Sequence, residues 1–124
     1  MKTDVYGFTD EERRWMNDIF SSIPHIDKVI LYGSRAKGNF REFSDVDITL
    51  LGDELTHDDL LELYDKLYES DLPYKYDVSI FSTLEDKDFI AHIKRVGKFI
   101  FSRENYEHKS SPMSDKVAEQ TIGN

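Results

Sequence analysis

A short apolar run that ends in Gly-Ser places the strongest constraint on how this chain folds. Lys28–Tyr32 is β-branched and aromatic, which predicts a buried strand, and Gly33 stops it. Gly33 permits a positive φ and a close backbone approach, and Ser34 opens a short helical turn. Backbone N–H groups there can point at an anion. A Gly-Ser pair alone is more typical of an ordinary strand-to-helix turn with a Ser N-cap, and the Gly-Lys-Ser/Thr ending of a P-loop is missing.

Two aspartates follow the Gly-Ser pair after ten residues. Residues 45–51 predict a second strand, in which Asp45 and Asp47 share one face with Cβ atoms roughly 6.5–7 Å apart. The apolar residues of the opposite face must point into the core, and these are Val46, Ile48 and Leu50. The two carboxylates can therefore converge on a shared ion. A solvated acidic strand face is the simpler interpretation of an isolated Asp-x-Asp.

A third strand, predicted over residues 75–81, adds another carboxylate. Its alternation turns Asp77 outward, so Asp77 joins the pair if the two strands are neighbours. Three carboxylates on one face repel one another, and a cation relieves that repulsion. Mg²⁺ prefers oxygen ligands completed by substrate phosphates, and two ions roughly 3.5–4 Å apart serve phosphoryl-type transfer. Strand phase favours Asp77 over the nearby acids, which are Asp71, Asp86 and Asp88.

Basic side chains cluster after the Gly-Ser turn. Arg35, Lys37 and Arg41 can add cationic contacts to a triphosphate, and Arg is the better fork for phosphate oxygens. Solvated basic residues on a strand-to-helix turn are the alternative.

Helical patterns alternate with these strands. Thr9 and Glu12 form a capping box for a helix from about Asp10 to Ser22, and Thr56 is a plausible N-cap for residues 57–69. A last helix is predicted over residues 84–94, and a short edge strand over residues 96–101. The expected fold is thus α/β (α+β), with a short mixed sheet flanked by helices.

Composition limits the domain organisation. The 124 residues suffice for one domain, assigned to residues 1–102, while the polar residues 103–124 predict a disordered tail or a partner-binding arm. A net charge of −9 opposes broad nucleic-acid or membrane binding. The absence of cysteine, of a signal peptide and of a spanning segment leads us to expect a cytoplasmic protein.

The combined motif resembles a known superfamily. Gly33-Ser34-Arg35-Ala36-Lys37-Gly38 with Ser44-Asp45-Val46-Asp47-Ile48 is similar to the signature of the DNA polymerase β-like nucleotidyltransferases, especially the minimal, MNT-type members. The resemblance covers about residues 10–101. It implies transfer of a nucleoside monophosphate from an NTP to a hydroxyl. It also implies that Gly33 and Ser34 contact the phosphates, that Asp45 and Asp47 bind Mg²⁺, and that Asp77 binds metal and helps deprotonate the acceptor.

The small size of the chain indicates that the acceptor hydroxyl is held by another molecule. Minimal members of the family commonly work beside a separately encoded, helical HEPN-type protein, and some are antitoxins that adenylylate that partner. The resemblance therefore implies ATP as substrate and a HEPN-type acceptor. The alternatives are a non-catalytic nucleotide-binding subunit that neutralises its partner by contact, and a small-molecule, aminoglycoside-like adenylyltransferase. A homo-oligomer is left open.

Overall fold

The computed structural model describes residues 2–109. The first half of this range contains α1 (Asp10–Ser21), β1 (Lys28–Tyr32), α2 (Gly33–Lys37) and β2 (Val46–Leu51). The second half contains α3 (His57–Glu69), β3 (Tyr76–Ile80), a 3₁₀ turn (Phe81–Thr83), α4 (Lys87–Val96), β4 (Lys98–Ser102) and α5 (Arg103–Lys109). Within the described residues no helix is both long and apolar enough to span a bilayer.

The four strands form one mixed sheet in the order β3-β2-β1-β4. Strand β1 pairs antiparallel with β2 and with β4, whereas β2 and β3 are parallel. The ladder between β1 and β4 shifts register between Val29 and Ile30. This architecture confirms the expected mixed sheet flanked by helices.

One face of the sheet carries the main core. The strand residues in this core cluster are Val29, Leu31, Val46, Ile48, Leu50, Tyr76, Val78, Ile80, Ile100 and Phe101. Helix α1 contributes Met16 and Phe20 to the same cluster, and α3 contributes Leu63 and Leu67. The alternation predicted for β2 and β3 is therefore confirmed, because their apolar phase faces these two helices.

Helix α4 packs on the opposite face of the sheet. Tyr32 pairs with Asp47 in the ladder and so shares its face, and the ring of Phe89 in α4 meets Tyr32 edge-on at 5.5 Å. Ile93 of α4 is fully buried. Asp77 lies on β3, the strand beside β2, and is exposed. The helix thus leaves the carboxylate end of this face open to solvent.

Local capping sets the helix starts. Thr9 and Glu12 form the predicted capping box, and Thr56 forms a second box with Asp59. Helix α4 begins later than predicted, at Lys87, because the Asp86 side chain accepts hydrogen bonds from the backbone N–H groups of Asp88 and Phe89.

Helix α5 lies beyond the predicted domain boundary after Ser102. It follows β4 directly, and Arg103 donates side-chain hydrogen bonds to the backbone carbonyls of Ser21, Ile23 and Ile26. The Tyr106 hydroxyl donates to Asp18 of α1 at 2.8 Å. The packed unit therefore extends past residue 102, and the rest of the predicted tail, residues 110–124, lies outside the described residues.

Candidate active site

The ladder register brings the predicted carboxylates to one end of the sheet. Asp47 of β2 is paired with Tyr32 of β1 on one side and with Asp77 of β3 on the other. Side chains of directly paired residues lie on the same face, so Asp47 and Asp77 are neighbours. Asp45 precedes β2 by one residue and is exposed.

Gly33 lies against this row of residues. Its φ is +77°, which is the left-handed region that favours glycine, and a Cβ built on it would collide with the Asp47 carboxylate. The turn after β1 and Asp47 of β2 are thus in direct contact. Ser34 is the second residue of α2, whose N-cap is Tyr32, so the interpretation of Ser34 as an ordinary N-cap is wrong.

The carboxylates at this end of the sheet perturb one another. Partial burial raises the pKa of Asp47, and the charges of Asp77 and Asp45 raise it further. The site therefore carries negative charge that a cation would stabilise. The donors available are carboxylate oxygens, which suit Mg²⁺ rather than a soft metal.

The carboxylates do not form a complete ligand cage. Within residues 2–109, no group of three or more His, Cys, Asp or Glu side chains is gathered closely enough to hold an ion. This geometry fits a cation whose coordination is completed by water and by substrate phosphates, which is how Mg²⁺ is commonly bound. The three aspartates would supply only some of the ligands of such a cation.

Tyr32 is a site residue that the sequence did not single out. Burial raises its pKa to about 12, with further contributions from Asp77 and Asp47, so the phenol keeps its proton at neutral pH. Two residues further along β2 and β3, the Ser79 hydroxyl donates to the buried Thr49 hydroxyl at 2.9 Å. The sequence could have indicated Tyr32 only through its position as the last residue of β1. Tyr32 is paired with Asp47 because β1 and β2 are antiparallel.

Arg35 lies in a different place from the one predicted. Its side chain is only 2% exposed, and its guanidinium donates to the backbone carbonyls of Tyr6 and Ser44. We expected Arg35 to contact a triphosphate, but it packs into the protein instead, so this expectation is corrected. Lys37 ends α2 and is exposed, as is Arg41 in the following loop.

The other acids weighed as a third carboxylate lie elsewhere. Asp86 is the N-cap of α4, Asp88 is in the first turn of that helix, and Asp71 follows the end of α3. Asp77 is the one of these residues that pairs in register with Asp47.

This fold and site define the protein as a member of the nucleotidyltransferase class. A family model described as "Polymerase beta, Nucleotidyltransferase" matches residues 15–106, which is most of the chain. The chain therefore belongs to the polymerase beta nucleotidyltransferase family, and the resemblance noted in the sequence is confirmed. The match also includes the first turn of α5.

Solved structures of toxin–antitoxin complexes are similar to this fold. One, crystallised with AMP-PNP, has a TM-score of 0.61 and 17% identity over 90% of each chain. A mutant of the MntA-HpeT toxin–antitoxin has a TM-score of 0.59 and 14% identity over 90% of this chain and 89% of that one. A third holds a tri-AMPylated HEPN toxin from Shewanella oneidensis with its MNT antitoxin, with a TM-score of 0.50 and 14% identity over 90% of each chain. No curated protein sequence matches.

Proposed function

We propose that this protein is a Mg²⁺-dependent adenylyltransferase that transfers AMP from ATP to a hydroxyl of a separately encoded, helical HEPN-type protein, and that it acts as the antitoxin of that partner. The observation that carries the proposal is the row formed by Asp47 and Asp77, with Gly33 packed against Asp47. The turn proposed to bind phosphate therefore lies beside the carboxylates proposed to bind the metal.

Each predicted residue has a role in this proposal. Gly33 and Ser34 hold the phosphates of ATP through the turn after β1, and Lys37 adds a cation at the exposed end of α2. Asp45, Asp47 and Asp77 would together hold two Mg²⁺ ions. When bound, Mg²⁺ would neutralise phosphate charge and stabilise the leaving pyrophosphate.

The proposed reaction is an in-line displacement. The acceptor hydroxyl oxygen forms a bond to the α-phosphorus of ATP, and the bond from that phosphorus to the oxygen bridging to the β-phosphate breaks. Pyrophosphate leaves with the bonding electrons, and the hydroxyl proton passes to the carboxylate of Asp77. Asp77 suits this role because it is exposed beside Asp47 and can be reached by an incoming acceptor.

The partner and the nucleotide are proposed from the neighbours with similar folds. One of those complexes contains AMP-PNP, and another contains a HEPN toxin that carries three AMP groups beside an MNT antitoxin. The described part of this chain has no second domain that could hold an acceptor. A partner that presents its own hydroxyl in the cytoplasm fits this organisation.

A radiolabel experiment tests the proposal. The full chain is incubated with Mg²⁺, a HEPN-type protein from the same genome and ATP labelled at either the α- or the γ-phosphate. AMP transfer labels the partner from α-labelled ATP only, and Asp47→Asn and Asp77→Asn should abolish it. Partner neutralisation without any label would favour a non-catalytic subunit, and label on a small hydroxyl compound would favour the small-molecule transferase.

A further inference from the structure

Arg35 occupies a cage of aromatic rings beside the site. Its guanidinium carbon lies 4.8 Å from the ring centre of Phe8, 5.2 Å from that of Phe40 and 4.7 Å from that of Tyr74. These distances are within the range of cation–π attraction, which is strongest where the cation has lost its water. The cage therefore offsets part of the cost of burying a charge.

Two backbone carbonyls accept hydrogen bonds from the guanidinium of Arg35. Nε donates to the carbonyl of Ser44 at 3.0 Å, and an Nη atom donates to the carbonyl of Tyr6 at 2.8 Å. Burial lowers the pKa of Arg35, but the group remains cationic at any physiological pH because its ordinary value is so high. The guanidinium presents several N–H donors in one rigid plane, so it can bind two carbonyls in different segments. A lysine ammonium lacks that fixed geometry.

The Ser44 contact links the two halves of the proposed site. Arg35 follows Ser34 in the phosphate-binding turn, and Ser44 precedes Asp45. The intervening loop contains Phe43 at a φ of +66°, an uncommon value for a large side chain. Its own hydrogen bonds include those between Arg41 and Ser44. Arg35 is thus a direct connection from α2 across this loop to the start of β2.

The cage is itself held by neighbouring elements. The Tyr74 hydroxyl donates to Glu12 at 2.8 Å, and the same carboxylate accepts from the Thr9 backbone N–H in the capping box of α1. The Phe8 ring meets Tyr74 edge-on at 5.4 Å. Movement of Arg35 would therefore disturb several packed groups, which makes its position well defined.

We propose that Arg35 is a positioning residue, which fixes the Asp45–Asp47 segment relative to the Gly33–Ser34 turn through the carbonyl of Ser44. Arg35 acts without touching the nucleotide. This inference rests on the proposed function for its catalytic consequence, while its structural part stands on the contacts above.

The test compares Arg35→Lys, Arg35→Ala and a matched control, Arg14→Met, in which an exposed arginine of α1 is removed. Hydrogen exchange of the full chain is measured over residues 39–46 and over β1. AMP transfer to the partner is measured well below the melting temperature of each variant. Arg35→Lys should raise exchange in residues 39–46 more than in β1. Its kcat should fall on the order of tenfold to a hundredfold while KM for ATP changes little.

Chemical rescue provides a second readout. Ethylguanidinium carries the donors and charge that Arg35→Ala lacks, so its addition should partly restore kcat and local protection from exchange. Ethylammonium, with the same charge but no fork, should do neither. If Arg35→Ala does not fold, Arg35→Lys carries the test through its exchange and kinetic data.

Two results would overturn the proposal. Lost ATP affinity with unchanged exchange in residues 39–46 would show that Arg35 contacts the triphosphate. A lower melting temperature with unchanged kcat and uniform exchange would show that Arg35 serves stability alone. If the wild-type chain transfers no AMP, the proposed function fails, and the exchange data still decide whether Arg35 fixes the loop.

Discussion

The backbone of Gly33 is packed against the carboxylate of Asp47, leaving no room for a side chain at residue 33. This contact joins the end of β1 to the start of β2 at the carboxylate end of the sheet. Glycine is required here for two reasons, namely its positive φ of +77° and the lack of space for a Cβ. The distance between the Gly33 turn and the Asp47 carboxylate is consequently set by direct packing and not by the loop that joins them.

Gly33→Ala should abolish metal-dependent ATP binding and destabilise the fold. Gly38→Ala is the matched control, because Gly38 also has a positive φ, +88°, but a Cβ there would meet no atom within 4 Å. The left-handed backbone costs about 1–2 kcal/mol in either variant. Only Gly33→Ala must also displace Asp47. Calorimetry with ATP and Mn²⁺, alongside thermal melting, measures both effects, and equal ATP affinity in the two variants would contradict this assignment.

Asp47→Asn should stabilise the ligand-free protein while removing its activity. Burial and the nearby charges of Asp77 and Asp45 raise the pKa of Asp47, so its ionised form costs stability above pH 3.8, its ordinary value. The amide removes that cost, and the melting temperature at pH 7 should rise by a few degrees. AMP transfer should fall at least about a hundredfold.

Asp71→Asn provides the control for that gain in stability. Asp71 is exposed and lies after α3, away from the paired aspartates. Its replacement should leave both the melting temperature and the transfer rate nearly unchanged. A lower melting temperature in Asp47→Asn than in Asp71→Asn would show that the carboxylate is stabilised in the free protein.

Strand periodicity made the centre of the candidate site predictable. Because side chains alternate with period two, the apolar phase of Val46, Ile48 and Leu50 was enough to put Asp47 on the other face. The same reasoning placed Asp77 correctly on its own strand. Their pairing required the strand order, which the sequence pattern left open.

Contacts between distant segments were not predictable from local pattern. Arg35 looks like a phosphate ligand in the sequence because it follows Gly-Ser, yet its burial depends on Phe8, Phe40 and Tyr74. Those rings are scattered along the chain and have no shared periodicity. Arg103 was likewise assigned to a polar tail, although it donates hydrogen bonds to carbonyls at the end of α1 and in the segment that follows α1.

Arg103→Ala should therefore lower stability by about 2 kcal/mol, or roughly 10 °C in melting temperature. The change removes side-chain hydrogen bonds to the carbonyls of Ser21, Ile23 and Ile26, at 3.3, 2.9 and 2.9 Å. Arg14→Ala, at an exposed position of α1, is the control and should have little effect. Thermal melting decides the matter. An Arg103→Ala protein as stable as the wild type would support the predicted domain boundary at Ser102.

The His25–Asp59 pair should make stability depend on pH. His25 Nδ1 lies 2.8 Å from the Asp59 carboxylate, and this hydrogen bond and charge raise the pKa of His25. Burial alone would raise the pKa of Asp59, but hydrogen bonds from His25 and Thr56 outweigh it and lower the value. The histidine contribution is fully present below pH 6.5 and is lost as pH rises through its folded pKa. The aspartate contribution is lost as pH falls below 3.8.

His25→Gln should accordingly lose stability relative to the wild type at pH 5.5, and the difference should shrink by pH 8.5. Thermal melting at both pH values in 0.15 M and 1 M salt measures it. Because the pair is near the surface, the higher salt should reduce the difference at pH 5.5. A difference that grows with pH would contradict the assignment of His25 as the raised group.

Two tyrosines of α3 cover the free edge of β3. The backbone N–H of Tyr76 donates to the Tyr68 hydroxyl at 3.0 Å, and that of Val78 donates to the Tyr64 hydroxyl at 2.8 Å. The two phenol rings stack, with centres 6.2 Å apart. An open strand edge can pair with another chain, and covering it is one way in which proteins prevent this. The tyrosines thus protect the edge nearest Asp77.

Removing both hydroxyls tests that protection. In the double variant Tyr64→Phe and Tyr68→Phe the rings remain, so packing is kept while the N–H groups of Tyr76 and Val78 lose their partners. We expect a loss of about 1–3 kcal/mol in stability and concentration-dependent self-association in sedimentation experiments. Tyr106→Phe is the matched control, because its hydroxyl binds Asp18 rather than a strand edge. It should lower stability slightly and remain monodisperse, and a double variant that behaves in the same way would show that the hydroxyls do not protect the edge.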